Sequence, residues 1–292
     1  MKAYTFKNPH QLLVGIFAFH LIERDAMTAH PSAPSDDLAF AIELANLADS
    51  ISLPRFRSAD LRVDTKPDRT FVTDADRAVE DALRARIEAE RPGDSFYGEE
   101  SGRSEKGARR WILDPIDGTS NFLRGVPNWA TLIALEIDGV PTVGVVSAPA
   151  FGARWWAETG AGAWGQDHGA DPRPLHVSGV SELAHASLSF QSIEQWRLEG
   201  YLPALLALEE QVWRDRAYGD MWSYMLLAEG FVDIVAEFDV KPYDLAALVP
   251  IVREAGGKFT DIEGNETAWN GSSLATNGAL HDAVIQTVEA TR

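Results

Sequence analysis

Six consecutive residues, Asp114-Pro115-Ile116-Asp117-Gly118-Thr119, combine two acids, a ladder-breaking proline, a backbone carbonyl set between the acids, and the start of a helix. Asp114 ends the apolar run Trp111-Ile112-Leu113, which reads as a buried strand, and Pro115 should stop that strand's ladder. A turn there lets Asp117 swing back to the side of Asp114, with the Ile116 carbonyl between them. Gly118 and Thr119 then open a short helix through Asn121 and Phe122, whose free N–H groups and dipole would cradle a phosphate. Oxygen donors converging in this way suit divalent cations, Mg²⁺ above all. Two such ions about 3.5–4 Å apart can neutralise a phosphate dianion and generate hydroxide near neutral pH, which is what hydrolysis of a phosphate monoester requires. The bland alternative is an Asp-Pro turn followed by a first-turn helix acid.

Three further acids carry no such signal alone. Glu99-Glu100 follows a β-like run, Ser95 to Tyr97, with Gly98 as a bend, and adjacent like charges are ordinarily a solvated loop. Asp76 lies three residues after Thr73 and completes the pattern of a capping box, which needs no catalysis. Asp244 suits the first turn of a helix, where the dipole favours an acid.

The elements that would position these residues read as follows. Ser35-Asp36-Asp37 starts a helix with Leu38, Ile42, Ala45 and Leu47 on its apolar face, and Leu61 to Thr65 alternates like a strand. Thr73 caps a helix in which Val79, Leu83 and Ile87 recur every four residues, ended by Pro92-Gly93. Thr131 to Ile137 and Val143 to Ser147, joined through Asp138-Gly139, form a hairpin, and Arg154 to Ala157 adds a third antiparallel strand. Helices follow over Leu202 to Leu208 and Met221 to Glu229, a buried strand over Phe231 to Phe238, and a helix over Pro242 to Glu254 stopped by Gly256-Gly257. Leu274 to Thr276 and Leu280 to Val288 close the chain as strand and helix. Helices and strands in blocks, with an antiparallel middle, predict an α+β fold of helices layered on sheets. The stretch Gly165 to Pro174 marks an internal boundary near residue 170.

The 292 residues, 45% hydrophobic and 24% charged, suffice for a sizeable core, and a formal charge of -18 excludes a nucleic-acid partner, which needs a basic footprint. With no cysteine, disulfides, thiolate metal sites and cysteine nucleophiles are excluded. Residues 1–35 read as a dispensable extension: Leu12 to Ile22 is apolar but too short to span a bilayer, no small-residue cleavage site follows it, and Met27 opens the polar lead into the first helix. The expected location is cytoplasmic, without a membrane partner.

Four blocks, FVTDADRAVE (71–80), YGEES (97–101), WILDPIDGTSNF (111–122) and PYDLAALVPIVREAGGKFTD (242–261), occur in the order and spacing of the inositol-monophosphatase family, which the chain resembles over about residues 36 to 290. The resemblance implies a layered α-β-α-β-α sandwich of the inositol monophosphatase and fructose bisphosphatase type, dependence on two or three Mg²⁺ ions, and a homodimer. It implies metal ligation by Glu99, Asp114, the Ile116 carbonyl, Asp117 and Asp244. Glu99 and Thr119 would activate the attacking water, with Asp76 bonded to Thr119, and the amides of Gly118 and Thr119 would hold the phosphate. Glu237 matches a position contacting the leaving-group alcohol. Tyr243 departs from the tryptophan usual before the last aspartate.

Within the family, the segments RFRSADLRVDTKPDRTFVTDADRAVE (55–80), SFQSIEQW (189–196) and YGDMWSYMLLAEG (218–230) resemble the actinobacterial-type histidinol-phosphate phosphatases. That implies a small phosphate ester as partner, L-histidinol phosphate, with hydrolysis of inositol-1-phosphate or sugar phosphates as the alternative. Histidinol carries an ammonium group and an imidazole, so its site should hold carboxylates beyond the metal set. Asp220 would be one such carboxylate, or else a simple cap for the helix Met221 to Glu229. A catalytically silent binding protein on the same fold is the alternative of a different class, and the complete acidic set argues against it.

Overall fold

Ser35 accepts the N–H of Leu38 at 3.1 Å and so starts helix α1, Asp36–Arg55, which buries Leu38, Phe40, Ala41, Leu44, Ala45 and Ala48. The computed structural model describes Pro31, residues 33–66 and residues 70–291; the apolar run Leu12 to Ile22 and Met27 lie outside them. Strands β1, Val63–Thr65, and β2, Phe71–Thr73, pair antiparallel and lead into helix α2, Asp74–Glu90. The predicted capping box on α2 is present, with Thr73 and Asp76 bonding each other's backbone N–H.

Eight strands follow in one sheet: β3, Ser95–Gly98; β4, Gly102–Ser104; β5, Arg109–Asp117; β6, Ala130–Ile137; β7, Val140–Ala148; β8, Ala153–Glu158; β9, Ala163–Asp167; and β10, Arg173–Pro174. Their order is β10-β9-β8-β7-β6-β5-β3-β4, antiparallel throughout except for the β3–β5 pair. Helix α3, Thr119–Arg124, hangs from the end of β5, and Asp138-Gly139 makes the β6–β7 turn at positive φ.

The second sheet has five strands in the order β12-β11-β13-β15-β14: β11, Ser187–Phe190; β12, Arg214–Arg216; β13, Ile234–Phe238; β14, Lys258–Thr260; and β15, Ser272–Thr276. Its helices are α4, Ile193–Leu198; α5, Leu202–Glu209; α6, Asp220–Ala228; α7, Pro242–Leu245; α8, Leu248–Glu254; and α9, His281–Ala290.

The strand period of two sorts the core into layers. Trp111, Leu113, Ile133, Leu135 and Val145 face α1 and α2, whereas Ile112, Leu132, Ala134 and Val146 face Met225 of α6 and Ile251 and Val252 of α8. Across those helices lie Val235 and Phe259 of the second sheet, whose other face packs Leu188, Ile234, Ala236 and Leu274 against α4, α5 and α9. The order is helix, sheet, helix, sheet, helix, as the resemblance implied. No helix among the described residues is long and apolar enough to cross a membrane.

Three local expectations are corrected. The ladder does not stop at Pro115: β5 runs on to Asp117, with an irregularity between Asp114 and Asp117 that absorbs the missing N–H, and the Pro115 carbonyl takes the Thr131 hydroxyl at 2.8 Å. The helix expected over Pro242 to Glu254 is two, α7 and α8, parted at Ala246-Ala247. Phe231 to Phe238 is extended only from Ile234, because Gly230 turns the chain at positive φ directly after α6.

Candidate functional site

The irregularity in β5 fixes the centre of the site. By skipping two pairing positions it leaves Asp114 and Asp117 at the sheet's end on the same side, rather than on opposite faces. The Asp114 carboxylate accepts its own loop's Ile116 N–H at 3.0 Å, and Asp117 accepts the Met221 N–H at the start of α6 at 2.8 Å. Asp244, in the first turn of α7, accepts the Lys241 N–H at 2.7 Å. One carboxylate oxygen from each of Asp114, Asp117 and Asp244 lies within 4.8 Å of the others.

These acids open onto a cavity of about 220 Å³. Every site residue expected from the sequence lines it except Asp76: Glu99, Ile116, Gly118, Thr119, Asp220 and Glu237 share the wall with the three aspartates. Asp76 stands behind, buried, with its Oδ1 3.2 Å from the Thr119 hydroxyl, which also lies 3.0 Å from the Ile116 carbonyl. Gly118 has φ +81°, and a Cβ there would meet the Asn128 carbonyl at 2.9 Å and Asp220 Oδ2 at 3.4 Å, so the position admits only glycine.

Burial and like charge act together on these groups. Asp114 is pushed well above the usual carboxylate range by burial and then by Glu99, Asp117 and Asp244. Asp117 is pushed up by burial and then by Asp220 and Asp244. Burial is the leading cause at Asp244, raised to about 6, at Glu99, raised to about 7 against the pull of Lys66, and at Glu237, raised to about 8. Lys66 Nζ bridges Glu99 at 2.7 Å and Glu100 at 2.5 Å, and Lys241 pairs with Asp239 at 2.7 Å. Beside burial, the charges that raise Asp114 and Asp117 are those of neighbouring carboxylates. A set of oxygen donors that resist ionisation beside one another fits a divalent cation, which would reverse the sign of every one of these interactions.

Asp220 does not cap α6. The helix begins at Asp220 itself, and its N-cap, Gly219, makes no side-chain cap bond. The Asp220 carboxylate instead accepts Asn121 Nδ2 at 2.7 Å and Gln191 Nε2 at 3.3 Å, while its N–H donates to Gln191 Oε1 at 2.8 Å. Its φ of +50° is uncommon for a side-chain-bearing residue. Glu237 is buried on β13; Tyr224 donates to its Oε2 at 3.0 Å, and its Oε1, also buried, has no hydrogen-bond partner among the described residues. Sequence reasoning named no role for Lys66, Asn121 or Gln191. All three lie inside the quoted family segments, so the signal was present, but single polar residues of loops and of one short helix carry no period or spacing to mark them.

Comparison with known proteins agrees with this geometry. Residues 34–292 match the sequence profile of the inositol monophosphatase family. A histidinol-phosphatase of Mycobacterium tuberculosis is 55% identical over 87% of this chain and 98% of its own. One of Streptomyces coelicolor is 48% identical over 86% of this chain and 96% of its own. The solved structure of a Thermotoga maritima IMPase superposes with a TM-score of 0.77 at 31% identity, covering 88% of this chain and 98% of that one.

Proposed function

The chain belongs to the inositol monophosphatase family, and from that premise we propose that it is a phosphoric monoester hydrolase that cleaves L-histidinol phosphate to L-histidinol and phosphate with the help of Mg²⁺. The observation that carries the substrate is Asp220, a carboxylate on the cavity wall outside the Asp114–Asp117–Asp244 set. Glu237, at the position that contacts the leaving-group alcohol, lines the same cavity, and one of its oxygens is buried without a partner among the described residues. An inositol ring offers hydroxyls, which a neutral side chain at position 220 would serve as well. A cationic alcohol gives the further acid a reason to be there.

In this reading Glu99, Asp114, Asp117, Asp244 and the Ile116 carbonyl hold two or three ions. Bound there, Mg²⁺ neutralises the ester dianion and acidifies water near neutral pH. Glu99, lining the cavity and paired with Lys66, would take a proton from the attacking water, and the Thr119 hydroxyl, held by Asp76 and the Ile116 carbonyl, would orient that water. The amides of Gly118 and Thr119 receive the phosphate oxygens. Residues 36–170 would supply the metal set except Asp244, and 171–292 would complete it and carry the leaving-group contacts, with 1–35 not needed for activity. A cytoplasmic homodimer belongs to the same proposal.

Turnover of histidinol phosphate, inositol-1-phosphate and fructose bisphosphate, each with Mg²⁺ and with chelator, is the test. Preference for histidinol phosphate, lost on chelation, is the expected result; preference for inositol-1-phosphate would reject the substrate assignment.

A further inference from the structure

Asp76 and Glu80 lie four residues apart on one face of α2, both buried, and each reaches a different acid-bearing loop. Asp76 reaches Thr119, after the two aspartates of β5. Glu80 reaches the turn after β3: its Oε2 accepts the Glu100 N–H at 2.8 Å and its Oε1 the Ser101 N–H at 2.6 Å. Those are the two residues that follow Glu99. Four residues of helix separate the two contacts by about 6 Å along the axis, so one rigid element registers both loops.

The strand is shaped to admit the carboxylate. A Cβ on Gly98 would lie 2.5 Å from Glu80 Cδ and Oε2 and 2.6 Å from Oε1, distances that van der Waals radii forbid. Gly98 and Glu80 are therefore one device: the absent side chain makes room for a carboxylate lying flat against the end of β3. The turn it holds needs holding. Glu99 and Glu100 are adjacent like charges that repel, and the Lys66 ammonium bridges their side chains while leaving their backbone to Glu80.

We propose that Glu80 is a positioning residue for Glu99: by taking the amides of Glu100 and Ser101 it fixes the turn that aims Glu99 into the cavity, and so sets the affinity of the site for Mg²⁺. The proposal rests on the reading of Glu99 as a metal ligand. Glutamine at 80 keeps the shape but offers one acceptor to two donors, leaving one amide unpaired or forcing the turn to move.

Calorimetric titration of the full chain with Mg²⁺, without substrate, tests this. Glu80→Gln should weaken Mg²⁺ binding by roughly tenfold. Gly98→Ala, which drives the carboxylate off the turn, should weaken it similarly. In a Glu80→Ala background the same Gly98→Ala change should add little, because the group it collides with has gone. An unchanged dissociation constant in Glu80→Gln, whatever its melting temperature, would reduce Glu80 to a structural role and overturn the proposal. Fully additive losses in the double variant would overturn it too. Wild-type chain that binds no Mg²⁺ would remove the metal assignment itself, an outcome separable from these because it appears before any substitution is made.

Discussion

Replacing Asp220 by asparagine changes one charge and little else. Asparagine is among the residues best tolerated at positive φ, so the +50° backbone is not further strained. Its carbonyl can accept from Gln191, and its amide can face Asn121 once that side chain's amide is turned over, so the network seen around Asp220 can be rebuilt. What is lost is the attraction for a cation. Two unit charges ~4 Å apart interact by ~4 kcal/mol at the effective dielectric near a protein surface. Two neutral donors already share this carboxylate, and the cavity is open, so a net ~1.5–3 kcal/mol is the reasonable value for a charge-assisted contact. Asp220→Asn should therefore lower kcat/KM for histidinol phosphate by roughly ten- to a hundredfold. Inositol-1-phosphate, whose alcohol offers no cation to this carboxylate, should change far less. Steady-state kinetics on both esters at saturating Mg²⁺ reads the difference. Equal losses on the two substrates, or none on either, would refute the assignment of Asp220 to the leaving group.

Asp117→Asn keeps the Met221 N–H contact but removes a metal-facing charge; if that charge supplies even ~3 kcal/mol in the transition state, turnover of any ester at saturating Mg²⁺ should drop by roughly a hundredfold, and undiminished turnover would remove Asp117 from the metal set. Without metal, Asp244 and Glu99 have folded pKa values, about 6 and about 7, above the ordinary carboxylate values of an unfolded chain, so the stability they contribute is present at low pH and lost as pH rises through 6–7. The rise in melting temperature on adding Mg²⁺ should accordingly be larger at pH 8 than at pH 5.5, and a shift independent of pH would count against these acids as ligands. His281 acts in the opposite direction: buried between the Thr260 and Thr276 hydroxyls, it is lowered to about 4, chiefly by burial, so its contribution is full above ~6.5 and fades as pH falls toward 4. Thermal melts should show wild type losing more stability than His281→Asn between pH 7 and 4.5, and parallel curves would show that the ring titrates alike in the folded and unfolded chain.

The sequence is most legible where a period or a fixed turn carries the signal. Val79, Leu83 and Ile87 mark α2, and Asp138-Gly139 marks the hairpin, because each depends on neighbours along the chain. The acidic set was legible as a set: Glu99, Asp76 and Asp244 each have an ordinary local explanation, and Asp76 does complete its capping box while also reaching Thr119. What escaped depends on contacts between distant residues. Whether Pro115 ends a strand or sits in an irregularity is decided by β6 alongside it, where Thr131 takes the freed carbonyl. The choice between cap and cleft for Asp220 turns on Asn121 and Gln191, 99 and 29 residues away. No local rule sees them.

The layers also divide the labour of the site. Glu99, Asp114 and Asp117 come from the end of the eight-stranded sheet, Asp220 and Asp244 from helices between the sheets, and Glu237 from β13 of the second sheet. Asp117 and Asp220 meet where α6 begins: the Met221 N–H next to Asp220 is the one that holds Asp117. A change of side chain at position 220 leaves that backbone contact in place, while the Asp220 carboxylate also holds Asn121 of α3. A change at position 237 acts through a wall of the cavity that Tyr224 steadies. On the proposed assignment the leaving-group contacts lie on α6 and β13 and the phosphate amides at the start of α3, so a conservative change at position 220 that rebuilds the bond to Asn121 alters the first and leaves the second in place, which is how one layered scaffold can serve esters of quite different alcohols.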